Sequence, residues 1–222
     1  MKFSVKYLPT ALFSLKDSNA TNSGAKSLFL PSPYAIKMAI LNQAITIGGD
    51  LEKLATINSN FFSFIRDAKI DFYIEANSYF AVNNSFVKIL KPSRSDDGFG
   101  QTVAFREYIY LSSPLEIIFE TQQEGQKEYL QKFLHKINYF GKKGCFFQFI
   151  EYLDSPHEAN VKAFDTNNLS FGILQEYDDF GKNVTFDNVN NYASSRTVRE
   201  KEILVLPLQN IGSSKGFSLY KT

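Results

Sequence analysis

The chain has 222 residues, a length at which a folded protein buries about 70% of the surface of its unfolded form. Apolar residues make up 44% and charged residues 21%, which argues against disorder and low complexity. One cysteine and two histidines are too few for an internal disulfide or a zinc cage, and no run reaches about 18 apolar residues. The composition therefore predicts a soluble, cytoplasmic protein with no metal, no cofactor and no membrane segment.

The net charge is only +1, but its distribution is uneven. Residues 151–187 carry eight acidic and two basic side chains, a local charge of −6 that leaves +7 for the rest. A polyanion is therefore expected to bind the remainder of the chain and to avoid this segment.

The first half of the chain alternates between strand and helix patterns. Residues 2–8 have the period of two that is typical of a half-buried strand. Ser32 and Pro33 predict a helix start, and Gly48-Gly49 its end. Asp50 is expected to cap a second helical segment that runs toward Phe64, and a strand follows from Lys69 to Glu75.

A long hairpin or arm is predicted over residues 78–111, with a possible turn at Asn83-Asn84 and a polar tip around SRSDDGFGQ. The strand LEIIFE follows it, and apolar spacing in residues 126–138 predicts a helix. After the turn GKKG, the segment CFFQFIEY reads as the last strand of this half.

The resulting order is β-α-β, arm, β-α-β, which is the ferredoxin-like (RRM-like) βαββαβ unit with an insertion. The predicted fold class is thus α+β, with a ferredoxin-like domain over residues 1–152. Residues 153–222 contain short strand patterns between loops rich in Asn and Asp, and no Pro/Ser/Gly linker precedes them. They are expected to form a β-rich extension packed on the first domain.

The chain has few candidates for catalysis. It contains no G-x-S-x-G, H-E-x-x-H, Walker or G-x-G-x-x-G motif. Cys145 lies in an apolar run and is expected to be a buried small hydrophobe. His135 and Lys136 have the chemistry for proton transfer and charge stabilisation in RNA cleavage, although a solvated helix face is the expected reading of that pair.

Basic residues stand out at three places. Lys37 lies one turn into the helix that Ser32 caps, where backbone N–H groups attract phosphate. Lys88, Lys91 and Arg94 lie on the arm, and two lysines occupy the GKKG turn. On one ferredoxin-like scaffold, these groups favour nucleic-acid binding.

Three segments resemble a known family, the RAMP superfamily of CRISPR proteins, and within it the subunit usually called Cas-five. They are SLFLPSPYAIKMAILNQAI, TVAFREYIYLSSPLEIIF and LQKFLHKINYFGKKGCFFQF, and they span residues 27–149. The Gly-rich C-terminal loop of several RAMP nucleases is absent, and the catalytic Tyr/His/Lys set of one cleaving branch has no match in this sequence.

The resemblance implies a non-catalytic RNA-binding subunit of a type I, Cascade-like effector complex in antiviral defence, which caps the 5′ handle of the guide RNA. Its implied partners are the guide RNA, the backbone RAMP subunits and the large subunit, with target DNA reached indirectly, and the arm acts as a thumb against the adjoining backbone subunit. The alternatives are a metal-independent endoribonuclease that processes precursor guide RNA, and a protein-interaction scaffold. The predicted RNA-binding residues are Ser32, Tyr34, Lys37, Lys88, Lys91, Arg94, Arg106, Lys142, Lys143 and Gly144.

Overall fold

The computed structural model describes residues 1–21, 24–93, 97–168, 171–189 and 199–222. The helices are α1 (Pro33–Thr46), α2 (Leu51–Ala55), α3 (Asn60–Arg66), α4 (Glu124–Leu134) and α5 (Phe186–Val189). The strands are β1 (Lys2–Pro9), β2 (Leu15–Lys16), β3 (Gly24–Ala25), β4 (Ser27–Leu28), β5 (Lys69–Ile74), β6 (Tyr79–Pro92), β7 (Phe99–Leu111), β8 (Leu115–Glu120), β9 (Phe147–Leu153), β10 (Lys162–Ala163), β11 (Ile173–Phe180), β12 (Arg199–Leu206), β13 (Gln209–Ser213) and β14 (Phe217–Lys221).

A four-stranded antiparallel sheet, in the order β5-β8-β1-β9, forms one layer of the protein. Alternation in β1 buries Phe3, Val5 and Tyr7 completely on one face, as the sequence pattern predicts. The Tyr7 hydroxyl donates to the carbonyl of Leu134 at 2.7 Å, which fixes the end of α4 against this face. The α+β class is confirmed, with mostly antiparallel sheets and few helices.

Helix α1 begins as the sequence predicts. The Ser32 hydroxyl accepts a hydrogen bond from the Ala35 N–H at 3.2 Å, and Pro33 is the first helical residue. The predicted second helical segment is instead two helices, α2 and α3. Asn58 between them has φ of +58°, and the Ser59 hydroxyl caps α3 by accepting from the Phe62 N–H.

The other face of the four-stranded sheet is covered by residues 154–161. Glu116 in β8 is 1% exposed and accepts hydrogen bonds from Ser4 Oγ and from the backbone of His157. The His157 ring lies 2.7 Å from Glu116 and stacks on Tyr73 at 4.5 Å. Burial raises the pKa of Glu116, but these hydrogen bonds outweigh it and the net pKa is lowered. His157 therefore occupies the part of this face around Glu116 and Tyr73.

The arm is a hairpin of β6 and β7, paired from Phe80↔Leu111 to Pro92↔Phe99. Asn83 and Asn84 continue the ladder, so the turn considered for them is absent. The base of the hairpin belongs to a five-stranded sheet, in the order β13-β14-β6-β7-β3, and its apolar side chains lie in the core. The base of the predicted arm is therefore part of the core, and the large exposed apolar residues Phe86, Leu90 and Phe99 lie in its distal half.

The C-terminal strands share the core of the first half. Tyr177 and Phe180 in β11 and Leu206 in β12 belong to the same cluster of buried residues as Ile36 in α1. The ring of Phe180 also packs edge-on against Tyr34, 5.2 Å between centroids. Helix α1 is therefore enclosed between α3 and α4 on one side and β11 on another, which determines where its polar residues can point.

Candidate functional site

A cavity of about 360 Å³ lies where the start of α1, the hairpin and the GKKG turn meet. Three of its side chains are cationic and none is acidic. We call it the basic cavity, and its lining residues are Ser14, Leu15, Lys16, Leu28, Ser32, Ala35, Arg106, Gly141 and Lys142. The structure thus brings together Ser32, Arg106 and Lys142, which are distant in sequence.

The N-terminus of α1 forms one wall of this cavity. The first N–H groups of a helix have no partner within the helix, and its dipole is positive at this end. The Ala35 N–H donates to the Ser32 hydroxyl and is therefore not available to a ligand. The electrostatic field of the helix dipole still acts at this end, because α1 is 14 residues long. Beside Arg106 and Lys142, this wall favours an anion such as a phosphate.

The GKKG turn forms the opposite wall and is held by local geometry. Gly141 has φ of +70° and Gly144 φ of +107°, conformations that favour glycine, and a Cβ on Gly141 would lie 3.3 Å from Leu15 Cδ2. The Cys145 N–H donates to the Lys142 carbonyl at 3.2 Å, and the Lys142 and Lys143 side chains are exposed. The turn therefore presents two cations, of which Lys142 lines the cavity.

Cys145 anchors this turn to the segment before β2. It is 1% exposed, and its thiol lies 3.5 Å from the Ser14 N–H and 3.4 Å from the Ser14 carbonyl. The expectation of a buried small residue at this position is confirmed. Its contacts place the turn beside the basic cavity.

The cations of the hairpin lie on both of its faces. Arg106 pairs with Ser85, so alternation puts Lys91 on the same face as Arg106, about 20 Å further along the strand. Lys88 points to the opposite face, with Phe86 and Leu90, which are 75% and 67% exposed. The two faces therefore differ in chemistry. Arg94, also predicted as an RNA contact, lies outside the described residues.

Lys37 does not face solvent, which corrects the prediction that it extends the phosphate site of α1. It is 2% exposed, and its ammonium group lies 2.8 Å from Asp179 Oδ1 and 2.8 Å from the Arg66 carbonyl. Burial lowers the pKa of Lys37, and Asp179 offsets this only in part. Lys37 is a structural link between α1, α3 and β11 and is left out of the candidate interface.

A second cavity, of about 410 Å³, adjoins the basic cavity and shares Ala35 and Gly141 with it. Its other lining residues are Tyr34, Met38, Ala39, Asn42, Gln43 and Tyr139. Among these residues, only Tyr34 was predicted from the sequence as an RNA contact. Lys16, which lines the basic cavity, was not predicted. The small side chains at positions 35 and 39, one helical turn apart, are the signal that such a space exists.

The candidate acid-base group around His135 is largely engaged with backbone. His135 Nδ1 lies 2.9 Å from the Gln131 carbonyl, to which the Tyr152 hydroxyl donates at 2.7 Å. The same hydroxyl accepts from the His135 N–H at 3.0 Å. Burial raises the pKa of Tyr152 to about 12, so the phenol is neutral near pH 7. His135 and Lys136 line a third cavity, of about 440 Å³, whose lining includes no carboxylate and no second histidine.

The residues that the structure describes contain neither a candidate metal site nor a candidate membrane-spanning helix. No group of three or more His, Cys, Asp or Glu side chains in them is close enough to hold one cation. None of their helices is long and apolar enough to cross a bilayer.

No protein-family model matches the chain. The chain is 23% identical over 209 residues to the CRISPR-associated protein Cas5 of Archaeoglobus fulgidus, covering 88% of both sequences. This similarity extends well beyond residues 27–149, and the predicted resemblance to Cas-five proteins is confirmed.

Two solved structures superpose on the whole chain at low similarity. One is a chain in the cryo-EM structure of the Type III-B Cmr-beta bound to cognate target RNA and AMPPnP, with a TM-score of 0.45, 10% identity and 86% of that chain covered. The other is the crystal structure of a CRISPR protein from Archaeoglobus fulgidus, with a TM-score of 0.41, 10% identity and 92% covered. At these TM-scores the superpositions do not establish a shared fold.

Proposed function

We propose that this Cas5-like chain is a non-catalytic RNA-binding subunit of a type I, Cascade-like CRISPR effector complex, and that it caps the 5′ handle of the guide RNA. The observation that carries the proposal is the basic cavity, whose lining brings Lys16, Arg106 and Lys142 together beside the start of α1. The guide RNA and the backbone and large subunits are its partners, and target DNA is reached through pairing with the guide.

The basic cavity suits a phosphate of a bent single strand. A guanidinium group and an ammonium group make charge-assisted hydrogen bonds to phosphate oxygens, and the helix dipole adds to the attraction. Lys143 lies next to the cavity and contacts a neighbouring phosphate, and Lys91, further along the hairpin, contacts a more distant one. The contacts are to the backbone, so they hold the handle in position whatever its sequence.

A ferredoxin-like core is part of the proposal. Its support is the strand order β5-β8-β1-β9, with α1 to α3 between β1 and β5, and α4 between β8 and β9. Residues 153–222 then form an extension, of which residues 154–161 lie against the sheet face on which such domains commonly stack RNA bases. RNA therefore binds at the edge where α1, the hairpin and the GKKG turn meet.

The distal hairpin serves a different partner on each face. Phe86, Leu90 and Val103 are exposed on the face that carries Lys88, as a surface for the adjoining backbone subunit. Lys91 and Arg106 lie on the other face, toward the RNA. The arm thus acts as a thumb between protein and nucleic acid.

Endoribonuclease activity is the second candidate, because His135 and Lys136 line one cavity. The neighbouring Tyr152 is neutral and bonded to backbone at both its donor and its acceptor, so it is not a free base. Metal-independent cleavage needs two groups to move protons between the 2′-OH and the leaving oxygen. The proposal therefore gives these residues no catalytic role.

One binding assay in EDTA separates the three functions. The purified chain is mixed with repeat-derived RNA labelled at its 5′ or 3′ end, over a range of salt concentrations. We expect a retarded complex with intact RNA, whose affinity falls as salt rises, by a log–log slope of about −0.7 per neutralised phosphate.

Cleavage products that disappear in His135→Ala would replace the proposal with the endoribonuclease. Copurification with complex subunits but no RNA shift at any salt concentration would replace it with the scaffold. A shift that does not respond to salt would rule out phosphate neutralisation as the mechanism.

A further inference from the structure

We infer that the outer face of the five-stranded sheet is a second binding site, which stacks the bases of single-stranded nucleic acid whatever their sequence. The inference goes beyond the proposed function, whose site is the basic cavity. In this sheet β6 pairs with β7 on one side and with β14 on the other, and Phe80, Val82 and Ile109 point into the core. The opposite face is the outer sheet face, and its large side chains are Tyr79, Tyr108, Tyr110, Phe217, Leu219 and Lys221.

Four aromatic rings share this face because of the strand register. Tyr108 and Phe217 both pair with Asn83, one on each side of β6, and paired residues point to the same face. Tyr110 in β7 and Tyr79 in β6 follow the same alternation. Tyr79, Tyr110 and Phe217 are 38%, 49% and 44% exposed. The face thus presents aromatic rings from three neighbouring strands to solvent.

The fold makes little use of these rings. Within the part of the chain that the structure describes, none of the four packs against another aromatic ring, and the hydroxyls of Tyr108 and Tyr110 have no hydrogen-bond partner. By contrast, Tyr73 on the four-stranded sheet stacks on the His157 ring at 4.5 Å. Apolar area that is grouped on one exposed face marks a binding surface, since leaving it in water does not stabilise the fold.

The charge of the outer sheet face is complementary to that of nucleic acid. Arg106 and Lys221 point to this face, and the Lys221 ammonium group lies 5.4 Å from the centre of the Tyr79 ring. The one acidic residue in β6, β7 and β14 is Glu107, which alternation puts on the other face. Lys215 is exposed in the turn between β13 and β14. Cations among aromatic rings, without a carboxylate, favour a polyanion with flat bases over a protein.

The rings are spaced for successive bases. Tyr108 and Tyr110 are two residues apart in β7, about 6.8 Å along the strand, which is the scale of one nucleotide step in an extended single strand. Phe217 lies two strands away from Tyr108, at about 10 Å. The smaller Ala81 and Asn83 lie between these rows of rings. Stacking on such rings accepts every base, because each base has a π-face.

The test measures the affinity of the full chain for labelled oligothymidylate by fluorescence anisotropy. Tyr108→Thr/Tyr110→Thr removes two rings and keeps residues that favour strands, so we expect a nearly unchanged Tm. The affinity is expected to fall about 30-fold, which is the lower end of the range for two stacked bases. Tyr108→Phe/Tyr110→Phe keeps the rings and is expected to bind like the wild type.

The matched control is Phe164→Thr/Phe171→Thr. It also removes two exposed rings, but from the acidic segment 151–187, and is expected to change the affinity less than about threefold. Oligouridylate distinguishes the source of the strand. Equal affinity means that the face accepts RNA and DNA alike, and a preference assigns it to one of them. A duplex of the same length is expected to bind more weakly, because its bases are already stacked on each other.

The inference is overturned if the double threonine variant keeps its affinity for oligothymidylate, or if the control or the double phenylalanine variant loses as much. It is also overturned if the wild type binds the duplex equally well. If the double threonine variant keeps its affinity but no longer copurifies with the other subunits, the face docks a protein instead.

Repeat-derived RNA separates this inference from the proposed function. The double threonine variant leaves the basic cavity unchanged, so its affinity for this RNA is expected to stay within about threefold of the wild type. An equal loss for both probes would mean one shared site and would overturn the second site. If the wild type does not bind repeat-derived RNA, the proposed function fails, while the oligothymidylate comparison still decides the inference.

Discussion

The double variant Arg106→Glu/Lys142→Glu is expected to bind guide RNA about 100-fold more weakly than the wild type, which corresponds to ~2.7 kcal/mol. Two cations that line the basic cavity become anions at the place proposed for a phosphate. Each charged hydrogen bond to phosphate is worth about 1.5–3 kcal/mol, so the loss of two accounts for the effect. The affinity is measured by fluorescence anisotropy with 5′-labelled repeat RNA over several salt concentrations.

The matched control is Lys69→Glu/Lys162→Glu, which changes the net charge by the same amount. Both lysines are exposed and neither lines a cavity described above. We expect less than about a threefold loss of affinity and an unchanged salt slope, because only screened, long-range attraction is reduced. If the control loses as much affinity as the cavity variant, binding depends on overall charge and the basic cavity has no special role. The Tm of each variant verifies that it is folded.

Shortening the hairpin is expected to abolish assembly while leaving the stability of the chain nearly unchanged. The variant removes residues 88–103 and joins Val87 to Ala104, which are paired neighbours, through an Asn-Gly turn. The deleted part exposes Leu90 and Phe99, so it contributes little buried area to the fold. The measurements are the Tm of the isolated chain and its copurification with the other subunits and guide RNA.

Phe80→Ala provides the contrast at the base of the same hairpin. Phe80 is fully buried and packs edge-on against Phe29, so this change is expected to cost about 3–5 kcal/mol of unfolding free energy. A large loss of Tm in the shortened variant would mean that the distal half belongs to the core as well. Normal assembly of the shortened variant would mean that the removed part of the exposed face, with Leu90 and Val103, does not contact a partner.

The sequence predicts the local elements well, because their signals are local. Alternation in residues 2–8 identifies β1, and Ser32 with Pro33 marks the start of α1 at the correct residue. It fails at α2 and α3, where the helix is broken by extended backbone at Thr56 and Ser59 and by Asn58 in the left-handed region. No pattern distinguishes that asparagine from its neighbours.

Most individual residues of the candidate site could be predicted from the sequence, but which of them lie close together in the fold could not. Lys37 was misplaced because α1 is covered on more than one side, and the contact that buries its ammonium group comes from Asp179, 142 positions away. The meeting of Arg106 with Lys142, and of Gln43 with Tyr139, also depends on long-range packing. Spacing along the chain carries no information on such contacts.

The most direct test of the central claim is photocrosslinking of guide RNA in the assembled complex. 4-Thiouridine is placed at single positions of the 5′ handle, the complex is irradiated, and the crosslinked peptides of this chain are identified by mass spectrometry. The account predicts crosslinks to residues 32–42 and 138–144, with signal from the handle only. Crosslinks confined to the four-stranded sheet and residues 154–161, or the absence of handle crosslinks from this chain, would contradict it.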